Sequence, residues 1–341
     1  ASSVNRAKTY QLVLFPLNNG ATNVYYVLVL SYIATFGSKV LALSMLFASV
    51  MVTGMRLFDA VTDPIIGALM DRTNGRFGKF RPFMVIGNLI MAASILVLYC
   101  LTPLIPASAM GLRYAAFVAL YAVWVIGYTF QTSCTRSGQT VLTNDPKQRP
   151  MFASFDGVFN TLLFAVMGVI VPRIADGYTD VGGYASTQFM HTLWMITAIM
   201  SACFTLIAVI SITPKDRSEF FGTGKPIKVG LKDYWDTLKN NRAIQMLVLS
   251  ASTDKLGGSA KSSAVMVAMF ACIAGSNLLQ SNVTGLVTIP STIVCFLFIS
   301  FFATRLGQRK AMLIGSVGGL ITNGILAALW LFGDPTTMTS N

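Results

Sequence analysis

The chain has 341 residues, of which 54% are hydrophobic and only 11% charged, with a formal net charge of +12. Soluble domains carry about 25% charged residues, so this composition excludes an ordinary soluble protein and points to a membrane protein. The basic excess follows membrane topology in its placement, as shown below, and is not read as a nucleic-acid surface.

A spanning helix needs about 20 mainly apolar residues. Runs of that kind lie at 11–36, 41–70, 83–105, 113–142, 152–175, 189–213, 243–275, 283–304 and 311–333. They are continuous rather than alternating, which predicts helices and not a barrel. The first run is too long for a secretory signal and lacks a small-residue cleavage site. It carries Asn19, Asn23 and Tyr26, with Tyr25 nearby, amide groups suited to hydroxyls and aromatic faces suited to a sugar ring.

The second run holds the most informative residues, Asp59 and Asp63, with Arg56 one turn earlier. Residues four apart share one helix face. Asp59 stands 12 residues before Asp71, which at 1.5 Å per residue puts it roughly 18 Å into the membrane, near its middle. A charge there costs ~2.5–3.5 kcal/mol on insertion scales and is a functional-site hypothesis by default. Pro64 has no N–H, so the carbonyl of Ala60 lacks its helical partner and is an oxygen for Na⁺ or for a water carrying a proton. An internal Arg56–Asp59 ion pair is the structural alternative. The run ends in a basic loop containing Gly67, Asp71, Arg72, Gly78 and Arg81.

In the fourth run, Arg136 either binds sugar hydroxyls or a carboxylate, or pairs with Asp59 or Asp63. In the fifth, Asp156 and Asn160 lie four apart, and the lone histidine, His191, falls at the outer end of the sixth. The stretch 214–242 is polar, with seven basic residues, and separates six spans from three. In the seventh run, Asp254 and Lys255 precede Gly257-Gly258, which suggests a broken helix facing a cavity; alternatively that span begins later. The five cysteines lie in apolar runs without paired spacing and read as small buried residues. Gly222-Thr223-Gly224-Lys225-Pro226 is not a phosphate-binding loop, so ATP drive is not expected.

With the N-terminus placed inside, eighteen of the 25 Lys and Arg fall on one side of the membrane. That bias predicts a cytoplasmic N-terminus. Basic loops about 60 residues into each half, at Asp71-Arg72 and at Arg305–Lys310, suggest an internal repeat. The resulting expectation is an all-α membrane protein of the major facilitator fold. It has a six-helix bundle at 1–213, a cytoplasmic linker at 214–242, and a C-terminal bundle at 243–341 that is truncated after about three helices.

The string Arg56-Leu57-Phe58-Asp59-Ala60-Val61-Thr62-Asp63-Pro64-Ile65-Ile66-Gly67, followed by Asp71-Arg72-Thr73 and Gly78-Lys79-Phe80-Arg81-Pro82, resembles the glycoside–pentoside–hexuronide:cation symporters. These are the melibiose permease group of the major facilitator superfamily. The likeness continues through Tyr128-Thr129 and Phe152-Ala153-Ser154 and weakens after 243. It implies cation binding by Asp59, Asp63 and Thr129, and a gating latch at the Gly67–Arg81 loop in which Asp71 caps a neighbouring helix N-terminus in one state and lets go in another. Where melibiose permease carries a third cation-site aspartate this chain has Thr132, and the family's sugar-binding aspartate on the first helix falls on Asn23.

The leading expectation is therefore a cation-coupled sugar symporter of the plasma (inner) membrane, not an enzyme, functional as a monomer and working by alternating access. It needs no cofactor beyond its coupling ion, with H⁺ favoured over Na⁺ because Thr132 leaves little net negative charge at the site. One rival is a membrane-embedded phosphotransferase holding Mg²⁺ at Asp59, Asp63 and Asp71, although Asp71 lies about 12 Å along the helix from Asp63. The other rival is an exporter of drugs or lipids on the same fold.

Overall fold

Pro16 divides the first apolar run: a short helix α1 (Thr9–Leu14) ends at Phe15, and α2 (Leu17–Thr35) starts directly after the proline. Proline supplies no N–H and is tolerated where a helix begins. In the computed structural model the chain then forms α3 (Met45–Arg72), α4 (Arg81–Leu96), α5 (Met110–Leu142), α6 (Arg149–Asp176) and α7 (Thr187–Ile212). The structure describes residues 5–217 apart from 74, 146 and 147, together with 236, 239–260, 286, 290, 294, 306 and 308–333. Within the later part lie α8 (Arg242–Ala260) and α9 (Gln308–Phe332). The expected span at 283–304 apart from residues 286, 290 and 294, the remainder of the one at 243–275, and Lys225 of the linker lie outside the described residues.

Among the described residues there is no strand, only an isolated bridge between Gly75 and Gly78. Among the described residues, five helical stretches are long and apolar enough to cross a membrane: Met45–Arg72, Arg81–Leu104, Ala107–Leu142, Met151–Asp176 and Thr187–Ile212. The α2 helix is less apolar because it carries Asn18, Asn19, Thr22 and Asn23. It nevertheless packs against α7, α6 and α5, at the centre of the bundle.

Two apolar clusters fill that bundle. One gathers Val24, Leu28, Phe36, Leu98, Tyr99, Phe117, Tyr121 and Leu193. The other gathers Leu12, Phe15, Ile66, Phe80, Met84, Cys134, Phe152 and Ile212. Every helix from α3 to α7 contributes to both, and α2 joins the first cluster while Leu12 and Phe15, just before it, join the second; between the two clusters each carries polar residues. These are Asn18 and Thr22 on α2, Asp59 and Thr62 on α3, and Asn88 on α4. Gln131 follows on α5, Asp156 and Asn160 on α6, and Ser201 and Thr205 on α7. The result is a polar belt at mid-depth, where buried polar groups must find partners inside the protein.

The closest helix crossing joins α4 to α5. A Cβ on Gly87 would meet the Gly127 carbonyl oxygen at 2.8 Å, and one on Gly127 would meet the Gly87 oxygen at 2.9 Å. Only glycine admits this approach, and it brings Asn88 within reach of the belt.

Candidate functional site

A cavity of about 780 Å³ opens at the level of the belt. Its lining comes from α2 (Asn19, Asn23, Tyr26), α3 (Arg56, Asp59, Asp63), α5 (Tyr128, Thr132, Thr135, Arg136, Gln139) and α6 (Asp156, Asn160, Phe164). Among the described residues, α4 and α7 supply none of it. They stand behind, and their polar groups turn inward. Asn88 donates to Ser201 Oγ at 2.6 Å and Thr205 Oγ1 at 3.0 Å, and Gln131 Nε2 donates to Thr205 Oγ1 at 2.6 Å.

One wall is acidic. Thr129, fully buried behind Asp59, gives its hydroxyl proton to Asp59 Oδ1 at 2.7 Å. Thr62 Oγ1 lies 3.2 Å from that hydroxyl and 3.0 Å from the Asp59 carbonyl oxygen. Asp63, one turn on, faces the same cavity and makes no side-chain hydrogen bond among the described residues. Thr132 lines the cavity, its hydroxyl bonded to the Tyr128 carbonyl at 3.0 Å. Carboxylate, hydroxyl and carbonyl oxygens grouped in this way are hard donors, suited to a small cation or a proton.

The facing wall is built by α2 and α6. Asn19 Nδ2 donates to both oxygens of Asp156, at 2.9 and 3.0 Å, and Asn160 Nδ2 donates to one of them at 3.0 Å. Asn23 Nδ2 in turn donates to Asn160 Oδ1 at 2.6 Å. The spacing of Asn19 and Asn23 on α2 matches that of Asp156 and Asn160 on α6, so the pairs meet face to face. These are interhelical hydrogen bonds and cavity groups at once. The Tyr26 ring closes this side, edge-on to Phe164 with centroids 6.4 Å apart.

The structure corrects the alternative reading of Arg56. Its guanidinium lies 5.0 Å from the centre of the Tyr26 ring and forms no ion pair with Asp59. A guanidinium over an aromatic face is held by the ring quadrupole. Arg136 likewise lines the cavity without an ion pair to Asp59 or Asp63 among the described residues. Thr135, Gln139 and Phe164 were not singled out from the sequence, although Thr132, Arg136 and Gln139 recur at the spacing of one helix face, as do Asp156, Asn160 and Phe164. Tyr25, by contrast, is fully buried in the apolar cluster. Asp254 and Lys255 fall on α8, with side chains outside the described residues.

The basic loop lies at one end of the bundle, away from the cavity. There Lys79 Nζ binds Asp71 Oδ1 at 2.6 Å, and Asp71 is exposed. Among the described residues Asp71 caps no helix. Asp216, just beyond α7, does so instead. Its carboxylate accepts from the backbone N–H groups of Lys79 at 2.8 Å, Phe80 at 3.1 Å and Arg81 at 3.1 Å, and from Arg81 Nε at 3.3 Å. An anion at the start of α4 meets both the orphan amides and the positive end of the helix dipole.

Gly78 has φ of +87°, and a Cβ there would collide with the Asp216 carboxylate. The preceding Lys215 performs the complementary task, donating to the Leu142 carbonyl at the C-terminus of α5 at 2.8 Å. It also donates to Asn5 Oδ1 and the Arg6 carbonyl, while Arg6 pairs with Asp145 at 2.9 Å. These contacts gather the basic loops at one end. Gly67 has no atom within 4 Å of an added Cβ among the described residues, and Arg72 is exposed in the last turn of α3.

Comparison with known proteins agrees with this architecture. A family model described as MFS/sugar transport protein matches residues 15–340. The chain is 28% identical over 254 residues to an uncharacterized symporter, YnaJ, of Bacillus subtilis (strain 168), covering 72% of this chain and 51% of that protein. It is 23% identical over 335 residues to a glucuronide carrier protein homolog of Escherichia coli (strain K12), covering 94% and 67%. To an isoprimeverose transporter of Lactiplantibacillus pentosus it is 25% identical over 316 residues, covering 92% and 63%. The chain spans about half the length of YnaJ and 46% of a second similar relative, the inner membrane symporter YicJ of Escherichia coli (strain K12). With an all-helical multi-pass fold and a family match along most of its length, the chain belongs to the sugar-transport family of the major facilitator superfamily, the glycoside–pentoside–hexuronide:cation symporters.

Proposed function

We propose that this protein is a secondary active transporter that moves a sugar, as a glycoside, pentoside or hexuronide, together with a cation by alternating access. The observation that carries this reading is the cavity itself. An acidic oxygen cluster around Asp59, Asp63 and Thr129 faces a hydroxyl-binding wall of Asn19, Asn23, Asp156 and Asn160 across one space. A cation on one wall and a sugar on the other are close enough to alter each other's binding, which is what symport requires. The relatives named as a glucuronide carrier homolog and an isoprimeverose transporter support sugar as the substrate class.

In this reading the coupling ion is H⁺. Two arginines share the cavity with the carboxylates, so the site holds little net negative charge for Na⁺, whereas a proton needs one carboxylate only. Residues 1–213 form one bundle, 214–242 a cytoplasmic linker, and 243–341 part of a second bundle that contributes Asp254 and Lys255 to the pathway. The N-terminus and the end bearing Asp71, Lys215 and Asp216 face the cytoplasm across the inner membrane, and one copy of the protein suffices.

Uptake of a radiolabelled glycoside panel into vesicles, with Na⁺ and pH gradients imposed separately, tests the reading. Accumulation against a concentration gradient, driven by the pH gradient, is expected. Failure of both gradients to drive any member of the panel would overturn it.

A further inference from the structure

The turn between α3 and α4 carries cations that the fold does not use. At this end of the bundle the carboxylates of Asp71, Asp145 and Asp216 are each taken by a cation of the chain, Lys79, Arg6 and Arg81 in turn. Arg72 and Arg76 are exposed and form no ion pair among the described residues. Phe77 stands beside them, 70% exposed. Arg76 and Phe77 are the tip of a four-residue turn closed by the Gly78 N–H on the Gly75 carbonyl at 3.0 Å. Behind the tip, the Asp216 carboxylate fixes the next three amides. A single exposed aromatic is ordinary on a protein surface. This one is held outward by a braced turn, next to two guanidiniums without a carboxylate.

Only eight residues separate the spans Met45–Arg72 and Arg81–Leu104, and the Lys79–Asp71 pair draws them back toward the end of α3. The tip therefore lies at the membrane surface, where an aromatic ring has acyl chain to enter and a guanidinium has phosphate to meet. The other segments expected on this side carry like charge. Residues 214–242 hold seven basic residues against four acidic, and 305–310 hold three basic and none acidic.

We propose that Arg72, Arg76 and Phe77 form a docking surface for an anionic phospholipid of the bilayer. The guanidiniums take its phosphate and the ring lies among the first carbons of its acyl chains. A zwitterionic lipid brings its own cation to the same place, so a headgroup of net negative charge is preferred.

Phe77→Trp in the full chain, reconstituted in vesicles, reports on this surface. Its fluorescence in excess of the wild type, whose four tryptophans are the background, is read with lipids brominated near the headgroup end of their chains. One series uses phosphatidylglycerol and the other phosphatidylcholine. Both are expected to quench, with phosphatidylglycerol favoured by about 5-fold for each arginine engaged, the worth of one cation near an anionic surface. The preference should fall toward one with Arg72→Gln and Arg76→Gln together, and fall in about 1 M NaCl, where charges are screened within ~3 Å. Equal quenching by the two lipids would overturn the anionic partner. No quenching by either would put Phe77 against protein or water and overturn the surface. A preference unchanged by the two arginine substitutions would remove the arginines from the role. The salt series needs no arginine variant, so a poorly folded one does not protect the proposal, and a preference kept in full at high salt would overturn its electrostatic basis.

Discussion

Asp216→Ala removes the one carboxylate that joins the end of α7 to the start of α4. Three backbone donors and Arg81 Nε lose their acceptor. Loss of a helix cap costs about 1 kcal/mol. Phe80 is 1% exposed, so water does not replace its lost partner, and an orphaned buried donor adds about 1–3 kcal/mol. The Arg81 pair adds little, roughly 0–1 kcal/mol, because Arg81 reaches solvent. The sum is about 2–5 kcal/mol, which for a bundle of this size lowers the thermal midpoint by roughly 5–15 °C.

Gly78→Ala attacks the same joint from the other side. At φ of +87° an L side chain is strained, by about 1–2 kcal/mol, and its methyl group collides with the Asp216 carboxylate. In the double variant the carboxylate is gone and only the Asp216 backbone oxygen, 2.7 Å from the added Cβ, remains as an obstacle, so the two losses should fall short of additivity by about 1 kcal/mol or more. Thermal midpoints of the purified protein in detergent, for the wild type, both single variants and the double variant, measure this coupling. Substrate affinity is expected to hold, since α4 and α7 contribute no lining residue among those described. An unshifted Asp216→Ala midpoint, or strict additivity with Gly78→Ala, would refute the argument.

Asp59→Asn is expected to abolish gradient-driven accumulation while sparing substrate exchange, and adding Arg56→Gln should not restore accumulation, because Arg56 sits on Tyr26 and not on Asp59. Rescue by that second change would reinstate the ion pair. Thr129→Val removes the hydroxyl that holds Asp59 at 2.7 Å and should weaken the apparent cation affinity by about 10-fold, the worth of one hydrogen bond to a charged group, whereas Thr129→Ser should restore most of it. A single cysteine at Arg76, in the loop between α3 and α4, should react with an impermeant thiol reagent only from the cytoplasmic side; labelling from outside alone would invert the orientation.

Asp59 and Asp63 were legible in the sequence because a charge inside an apolar run is visible without knowing the fold. The same logic marked Arg136 and Asp156, and all four line the cavity. Asp216 was not legible. It lies past the end of a span, where charges are ordinary, and only the folded chain shows that α4 begins against it with its side chain wholly buried. Here Asp71 meets Lys79, and the start of α4 is capped by a residue 145 positions further along the chain. The break at Phe15–Pro16 was likewise hidden, since hydropathy does not register a proline that starts a helix.

Neighbouring asparagines show why the polar belt resists reading from sequence alone. Asn18 and Asn19 are chemically identical and adjacent, but consecutive helical residues point about 100° apart. Asn18 turns into the bundle, donating to the Gln131 carbonyl at 3.0 Å and Thr135 Oγ1 at 2.7 Å, and is fully buried. Asn19 turns into the cavity and holds Asp156. One secures helix packing and the other presents a binding wall, and the choice is made by which face of α2 meets α5 and which meets α6. Rotating α2 by one residue would bury the carboxylate's partner and open the packing contact to the cavity. The phase of α2 is set by its own apolar residues beyond the belt, Val24, Leu28 and Ile33, which sit in the first cluster. Residues that never touch a ligand thereby decide which of the polar ones can.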